Sequence, residues 1–448
     1  MVGPPKGERP IRPWRVGATV VLALVLGVAG LRAEGPAVVV KAGRLWDGLR
    51  DTLQTNVWVV IRDGVIREVR TDGRVPSDAT VLDLSDATVL PGLIDGHTHI
   101  FLQGDPTLAS YAEQILQESI PYRTIRAVVA ARTALEHGFT TLRDLGTEGA
   151  MYADADVKKA IERGVIPGPR LFISTRAISS TGTYPLLGYA WELSLPSGVE
   201  VADGPEAIRR AVRTQVAQGA DWIKFYADRS YFIGADGRLR SWVNFTDEEM
   251  ALLVREAHLR GRKVAAHAIG WDGIDAALRA GVDSIEHGDG LTEDLMERMV
   301  RQGVYWCPTL TVLLYVAEPR AREGRPVYRE MIALQRQAFR QALARGVRIA
   351  FGTDAGGFPW NEIHQAREFE LMVEYGMTPL QALRSATRVA AEMLGMGSEL
   401  GAVAPGYRAD LIAVPGDPLR DVRVLQQVRW VMKDGRVVYG TPEAGKGR

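Results

Sequence analysis

The sequence predicts an α/β protein in which a TIM-type (β/α)8 barrel carries a small β-sandwich domain built from both chain ends. From residue 89 to residue 397, short apolar segments alternate with helical stretches, as strands and helices alternate in such a barrel. The flanking regions 34–88 and 398–448 carry β-hairpin signals but too little apolar sequence to fold alone. We therefore expect the flanks to form one domain into which the middle of the chain is inserted.

Each flanking region contains an Asp-Gly turn between strand-forming residues, which is a strong hairpin signal. Asp63-Gly64 interrupts the apolar run 57–66, and Asp434-Gly435 interrupts the run 428–438. The sequence therefore predicts a hairpin in each flank.

The predicted barrel strands are short and apolar, and helical sequence separates them. They lie near residues 90–97, 139–145, 170–175, 221–226, 263–267, 282–287, 303–309 and 347–353. Two of the helices begin with capping boxes at Thr246 and Thr378, because Glu249 and Gln381 follow three positions later. A glycine follows seven helical runs, where a helix commonly ends in a left-handed residue. These are Gly138, Gly164, Gly219, Gly261, Gly281, Gly303 and Gly346.

Residues 1–33 have the pattern of an export signal. Three arginines precede the uncharged apolar run 16–31, and a small-residue cleavage pattern ends at Ala33. The run is shorter than the ~20 apolar residues that span a bilayer. We expect an exported protein, periplasmic or secreted, with an uncleaved membrane anchor as the alternative.

The composition limits the classes of partner. Lys+Arg and Asp+Glu number 54 each, so net charge gives no general attraction to nucleic acid or to an anionic membrane. The sequence contains no nucleic-acid motif and no phosphate-binding glycine loop. Cys307 is the only cysteine, which excludes an intrachain disulfide. The expected partner is a small-molecule substrate, and the oligomeric state stays open, a homo-oligomer included.

Six polar residues follow predicted barrel strands at the end where barrel enzymes carry their catalytic groups. They are His97, His99, Lys224, His267, His287 and Asp354. His97 and His99 are two positions apart on one strand, so their imidazoles point the same way and can share a cation. A single strand histidine is usually a hydrogen-bonded core residue, but the joint placement of these residues predicts a metal centre. We interpret the other three histidines, His137, His258 and His364, as structural. A place in the pocket lining is the alternative for His364, which follows the last predicted barrel strand.

Motifs in this order and spacing resemble the metal-dependent amidohydrolase superfamily. They are residues 91–99 (PGLIDGHTH), 138–144 (GFTTLRD), 221–224 (DWIK), 265–268 (AAHA), 284–288 (SIEHG), 352–355 (GTDA) and 405–411 (PGYRADL). The resemblance covers nearly everything after residue 37. Within the superfamily the chain is similar to imidazolonepropionase-like proteins and to Xaa-Pro or Xaa-Arg/Lys dipeptidases.

The resemblance implies a binuclear metal site, usually loaded with zinc. His97, His99 and Asp354 would hold one ion, and His267 and His287 would hold the other. Lys224 would bridge both ions as a carbamate. A lysine ammonium has no lone pair and cannot be a ligand, whereas a desolvated neutral amine can react with carbon dioxide and then offers two oxygens.

The hypothesis that follows is hydrolysis of an amide bond by a bridging hydroxide. Asp354 would accept the water proton and return it to the leaving nitrogen. Tyr226 lies on the same strand face as Lys224, so its phenol would donate to the developing oxyanion or else pack as a ring at the barrel mouth. Arg229 is a candidate for binding a substrate carboxylate, a solvated surface arginine being the alternative.

The expected substrates are dipeptides, of the Xaa-Pro or Xaa-Arg/Lys type, or N-acyl amino acids. The alternatives are a hydrolase of cyclic amides or imidazolones, a lactonase and a phosphotriesterase. Lys224 and the missing glutamate near His267 argue against a deaminase. A non-catalytic scaffold protein would be expected to lack ligand residues, and none is missing. Residues 180–184 (STGTY) stand where dipeptidase-like relatives often carry a Gly-Gly-His turn, which weakens the transfer of any one substrate.

Overall fold

The computed structural model describes residues 1–3, 35–184 and 186–441. The described part has the predicted α/β composition, with 19 strands and 12 α-helices. All but the first three residues of the predicted export segment lie outside the described residues. No helix within the described ranges is both long and apolar enough to cross a membrane.

The strands fall into four hydrogen-bonded sheets. In chain order they are β1 (Val38–Leu45), β2 (Gln54–Arg62), β3 (Val65–Arg70), β4 (Thr80–Pro91), β5 (Leu93–Thr98), β6 (Phe139–Asp144), β7 (Arg170–Ile173), β8 (Ile178–Ser179), β9 (Glu200–Val201), β10 (Trp222–Tyr226), β11 (Asp228–Ile233), β12 (Leu239–Val243), β13 (Lys263–Ala268), β14 (Ser284–His287), β15 (Tyr305–Cys307), β16 (Arg348–Ile349), β17 (Leu411–Val414), β18 (Trp430–Lys433) and β19 (Arg436–Tyr439).

Most of the helices lie between consecutive strands of the central region. They are α1 (Leu108–Leu116), α2 (Ile120–Glu136), α3 (Ala153–Glu162), α4 (Gly204–Ala217), α5 (Asp247–His258), α6 (Trp271–Ala280), α7 (Glu293–Gln302), α8 (Leu310–Arg322), α9 (Val327–Arg345), α10 (Arg367–Glu374), α11 (Pro379–Arg384) and α12 (Ala390–Met393). Helices α5 and α11 begin with the predicted capping boxes. All seven predicted helix-ending glycines have positive φ.

Both chain ends contribute to one seven-stranded sheet, with the strand order β19-β18-β17-β4-β1-β2-β3. Strand β4 pairs with β1 on one side and with β17 on the other, so the two ends of the chain meet along β4. The predicted Asp-Gly turns join β2 to β3 and β18 to β19 as hairpins. The predicted sandwich is therefore represented by a single hydrogen-bonded sheet with an apolar cluster of its own.

Strands occur at all eight positions predicted in the central region, and neighbouring strands pair in parallel. They form one sheet of order β5-β6-β7 and another of order β16-β15-β14-β13-β10-β8-β9. Backbone hydrogen bonds join the two sheets on both sides. The amide of Asp221 donates to Ile173 O, and the amide of Gly96 donates to Phe351 O, both at 2.8 Å. A Cβ atom at Gly96 would lie 2.8 Å from Phe351 O, so this contact requires glycine.

Of the three histidines predicted to be structural, two form a stacked pair. The rings of His137 and His364 lie 3.7 Å apart between centroids and 18° from parallel. The Nδ1 atom of His137 is buried without a hydrogen-bond partner. Burial, reinforced by the neighbouring His137 ring, lowers the pKa of His364 to about 3. His258 is more exposed and pairs with Asp283 at 2.8 Å.

The stacked pair predicts a loss of stability in acid. The unfolded chain binds a proton at His364 below about pH 6.5, whereas the folded chain does not until about pH 3, so stability falls as the pH falls through this window. The free energy of unfolding at pH 5, relative to pH 7, should drop by about 2 kcal/mol more in the wild type than in His364→Phe. Denaturant unfolding at both pH values measures this difference. His258→Gln is the control and should retain the wild-type response. An equal drop in the free energy of unfolding for the wild type and for His364→Phe would contradict the prediction.

Candidate metal centre

Strand β5 places two histidines beside an aspartate that follows β16. The Nε2 atoms of His97 and His99 lie 3.6 Å and 3.5 Å from Asp354 Oδ1. One ligand atom from each of these residues lies within 4.8 Å of the other two. His97 Nε2 is buried and has no hydrogen-bond partner. An orphaned imidazole nitrogen beside a second imidazole and a carboxylate fits a divalent metal ion, because these are its usual protein ligands.

A second pair of histidines adjoins this cluster. His267 is the penultimate residue of β13 and His287 ends β14, and their ring centroids are 4.5 Å apart. The ring of His287 is also 5.0 Å from that of His97. Each ring has one nitrogen in a hydrogen bond: His267 Nε2 with the Tyr231 hydroxyl at 2.7 Å, and His287 Nδ1 with the Thr309 hydroxyl at 2.8 Å. The other nitrogen of each ring is therefore left for a ligand.

Lys224 lies on β10, in register with Ala265 of β13, and its side chain enters the same cavity as these histidines. The residue is 1% exposed. Burial lowers the pKa of Lys224 to about 8. The neutral amine, which is the form that can react as a nucleophile, is therefore more populated near neutral pH than in an ordinary lysine.

A buried ion pair that was not predicted from the sequence holds His97 in place. Glu286 Oε2 lies 2.8 Å from His97 Nδ1, and Arg143 Nη2 donates to Glu286 Oε1 at 2.8 Å. Arg143 Nε also donates to Gly96 O at 2.6 Å. The side chains of Arg143 and Glu286 are both fully buried. Because the carboxylate accepts from Nδ1, the proton of a neutral His97 is held there and Nε2 is left with its lone pair toward Asp354.

A sequence signal for this ion pair existed. Arg143 and Glu286 are charged residues within predicted barrel strands, and a charge buried in a strand needs an opposite partner. What the sequence could not supply was the pairing, because the two residues lie on β6 and β14, far apart along the chain.

Glu148 is the second group that sequence reasoning missed. Its carboxylate accepts three tyrosine hydroxyls: Tyr111 at 2.8 Å, Tyr184 at 2.9 Å and Tyr226 at 3.0 Å. Tyr226, predicted to donate to an oxyanion, therefore lies in the cavity with its hydroxyl donating to Glu148. Burial raises the pKa of Tyr226, so the hydroxyl keeps its proton. Tyr184 belongs to the segment that departs from the Gly-Gly-His turn.

Arg229 stands at the mouth of the same cavity. Its guanidinium lies 4.1 Å from the ring centroid of Tyr184 and 5.0 Å from that of Tyr226. Within the described residues, Arg229 forms no ion pair with a carboxylate. Beyond it, an outer groove runs along the β11–β12 hairpin and past Trp242, which is 68% exposed.

One cavity therefore brings together most of the predicted site residues. His99, Lys224, Tyr226, Arg229, His267, His287 and Asp354 all line it. His97 lies behind this wall, where its Nε2 atom faces Asp354. The remaining histidines, His137, His258 and His364, do not line the cavity.

Comparison with known proteins agrees with the family resemblance found in the sequence. The model of the Amidohydrolase family matches residues 88–438. Ochratoxinase of Aspergillus niger is 31% identical over 440 residues, which cover 91% of this chain and 88% of that protein. Imidazolonepropionase of Deinococcus deserti is 24% identical over 388 residues, 81% of this chain and 86% of that protein. A crystal structure of a Xaa-Pro dipeptidase with methionine in its active site superimposes with a TM-score of 0.81 at 34% identity, covering 90% of this chain and 100% of that chain.

The Glu286–His97 hydrogen bond predicts a measurable effect on metal affinity. Glu286→Gln leaves a neutral amide whose hold on the His97 Nδ1 proton is weaker, and the affinity for a divalent ion should fall by about 10- to 100-fold. Competition with a chromogenic chelator measures this affinity. The matched control is Glu297→Gln, a change to an exposed residue of α7, which should bind metal as the wild type does. Unchanged affinity in Glu286→Gln would remove the role assigned to this carboxylate.

Proposed function

Because the chain belongs to the amidohydrolase family and is a hydrolase, we propose that it cleaves the amide bond of dipeptides or N-acyl amino acids at a binuclear metal centre. The observation that carries the proposal is the unpartnered His97 Nε2 beside His99 and Asp354, in a cavity that also holds His267 and His287. The similarity to a Xaa-Pro dipeptidase over the whole length of that chain supports the substrate class. We further propose that the eight parallel strands form a closed TIM-type barrel.

The metal ligands are proposed from the family resemblance, and the arrangement of the cavity supports them. His97, His99 and Asp354 would hold one ion, His267 and His287 would hold the other, and a carbamylated Lys224 would bridge them. The lowered pKa of Lys224 supports carbamylation, because the neutral amine is the reactive form. The bound ions, proposed to be zinc, would supply Lewis-acid activation of the scissile carbonyl and a water of lowered pKa.

Asp354 is the proposed proton carrier. Its side chain is 15% exposed, lines the cavity and offers Oδ1 to two imidazoles. Without a bound ion, burial raises the pKa of Asp354. The carboxylate would accept a proton from the attacking water and deliver it to the leaving nitrogen.

Tyr226 and Arg229 are the proposed substrate contacts. The Tyr226 hydroxyl would turn from Glu148 to the developing oxyanion, and Tyr111 and Tyr184 would continue to donate to Glu148. Arg229 would bind the substrate carboxylate, since its guanidinium reaches the cavity without an acidic partner there.

We also propose that the protein is exported, either released after cleavage or held at the membrane by its N-terminal segment. The proposal rests on the arginines and the uncharged apolar run of residues 1–33.

A substrate panel tests the amide-hydrolase proposal. Zinc-loaded protein should hydrolyse a subset of Xaa-Pro dipeptides, Xaa-Arg/Lys dipeptides and N-acyl amino acids. Asp354→Asn should lower kcat by about 10²- to 10⁴-fold, because it removes the proton carrier. Release of amino acid measures the rate, and metal analysis accompanies each variant.

Asp51→Asn is the control for this panel, since Asp51 is 73% exposed and lies in the terminal sheet domain. Full activity of Asp354→Asn would exclude the proton-carrier role. No turnover of any amide by protein that binds two metal ions would exclude the proposed substrates and direct the search to cyclic amides and lactones.

Carbamylation of Lys224 can be tested without activity. Protein loaded with metal in ¹³C-bicarbonate should give a carbamate carbon signal that is absent from Lys224→Ala, and the variant should bind fewer than two ions per chain. Lys158→Ala, which removes a lysine paired with Asp221, should retain the signal. A wild-type protein that binds two ions without the signal would show that Lys224 is not a carbamate.

A further inference from the structure

The four histidines proposed as metal ligands differ in what holds the second nitrogen of each ring. His97 Nδ1 lies 2.8 Å from the Glu286 carboxylate, and His99 Nδ1 lies 2.9 Å from the carbonyl oxygen of Gly146. An ionised carboxylate and a carbonyl oxygen can only accept a hydrogen bond. The proton of each neutral ring is therefore held at Nδ1, and Nε2 keeps its lone pair.

The other two rings are held by hydroxyl groups, which can either donate or accept. His267 Nε2 lies 2.7 Å from the Tyr231 hydroxyl, and His287 Nδ1 lies 2.8 Å from the Thr309 hydroxyl. A neutral imidazole carries one proton, so the direction of the hydrogen bond decides which nitrogen is free. If Tyr231 donates, His267 carries its proton on Nδ1 and cannot bind an ion there. If Tyr231 accepts, Nδ1 has its lone pair.

The surroundings of Tyr231 allow it to accept. The residue is half-buried and lines the outer groove. His267 is the hydrogen-bond partner of its hydroxyl, and no second partner occurs in the described part of the chain. The hydroxyl can therefore give its own proton to solvent in the groove while its oxygen accepts from His267, and no buried proton is left without a partner.

The backbone beside Tyr231 is distorted. The register of β11 against β12 shifts between Arg229 and Phe232, and Ser230 has a φ of 58°. Bulges of this kind redirect the side chains next to them and are frequent beside active sites. A non-glycine residue keeps such a φ where surrounding contacts determine the backbone. The hydrogen bond from Tyr231 to His267 is one of these contacts.

The base of the β11–β12 hairpin is tied to the end of β13, next to His267. Ala227 N donates to His267 O at 2.9 Å. The carboxylate of Asp228 accepts from Gly270 N at 2.8 Å and from Ile269 N at 3.0 Å. These bonds fix the start of the hairpin relative to His267, so the distance between the tyrosine hydroxyl and the imidazole is set by the backbone on both sides.

We propose that Tyr231 is a positioning residue for the second metal ion: its hydroxyl oxygen accepts the Nε2 proton of His267 and so leaves the Nδ1 lone pair for that ion. This inference rests on the proposed function, because it needs the binuclear centre. Without the hydroxyl, the Nε2 proton has no acceptor, and the ring favours the tautomer whose Nδ1 proton competes with the ion. The first ion, at His97, His99 and Asp354, does not depend on Tyr231.

The test measures the affinity for each ion separately. Metal-free, full-length wild type and Tyr231→Phe are titrated with Zn²⁺ in competition with a chromogenic chelator. Tyr231→Phe should bind the first ion as the wild type does, whereas its affinity for the second should fall by about 10- to 100-fold, the usual effect of removing the hydrogen-bond partner of a ligating histidine. Tyr407→Phe is the matched control and should keep both affinities, since it removes a hydroxyl that donates to Gly397 O at 3.1 Å, outside the cavity.

An unchanged affinity for the second ion in Tyr231→Phe overturns the proposal. So does an equal loss of affinity for both ions, which a general disturbance of the fold would produce. ¹⁵N NMR of the zinc-loaded wild type gives a second readout that needs no change at Tyr231. The signals of the His267 ring, assigned by their absence from His267→Gln, should show the proton on Nε2, and a proton on Nδ1 overturns the proposal.

The outcomes separate this proposal from the proposed function. A wild type that binds two ions, the second more weakly in Tyr231→Phe, but cleaves no amide would overturn the amide hydrolase and support the role of Tyr231. Amide hydrolysis by a protein whose Tyr231→Phe variant binds both ions normally would do the reverse. A wild type that binds a single ion would overturn the binuclear centre and the role of Tyr231 together.

Discussion

The ion pair between Arg143 and Glu286 is the interaction on which the metal centre depends. The Arg143 guanidinium links its own strand, β6, to two others, because it donates to Gly96 O of β5 and to Ser284 and Glu286 of β14. The carboxylate then fixes the imidazole of His97. Removing either charge would leave the other buried without a partner, a loss of about 3–5 kcal/mol, so the site and the packing of the strands are stabilised together.

Backbone strain is concentrated at the same end of the strands. Thr175, His287, Thr309 and Asp354 are non-glycine residues with φ between 50° and 72°, and each lies at or just beyond a strand of the central region. Such residues cost about 1–3 kcal/mol each and persist where surrounding contacts determine the backbone. Hydrogen bonds supply those contacts, for example from Asp354 N to His97 O at 2.8 Å. Three of these residues, His287, Thr309 and Asp354, line the cavity.

The sequence predicted the parts of this protein that depend on local pattern. Strand positions follow from apolar runs, and the clustering of His97, His99 and Asp354 follows because the ends of neighbouring parallel strands meet. The missed features depend on loops and on pairing at a distance. Glu148 gathers hydroxyls from α1, from the loop after β8 and from β10. Segment 227–244 lies between two predicted barrel strands, yet it forms the hairpin of β11 and β12.

The meeting of both chain ends along β4 also orders the events of synthesis. Strand β4 leaves the ribosome early and can pair with β1 at once, but its other edge waits for β17, since Pro91 lies opposite Leu411. All of the central strands are made in the interval. During that interval the nascent chain carries an open apolar strand edge, the kind of surface that recruits chaperones or foreign strands. Synthesis of β17 therefore covers that edge of β4.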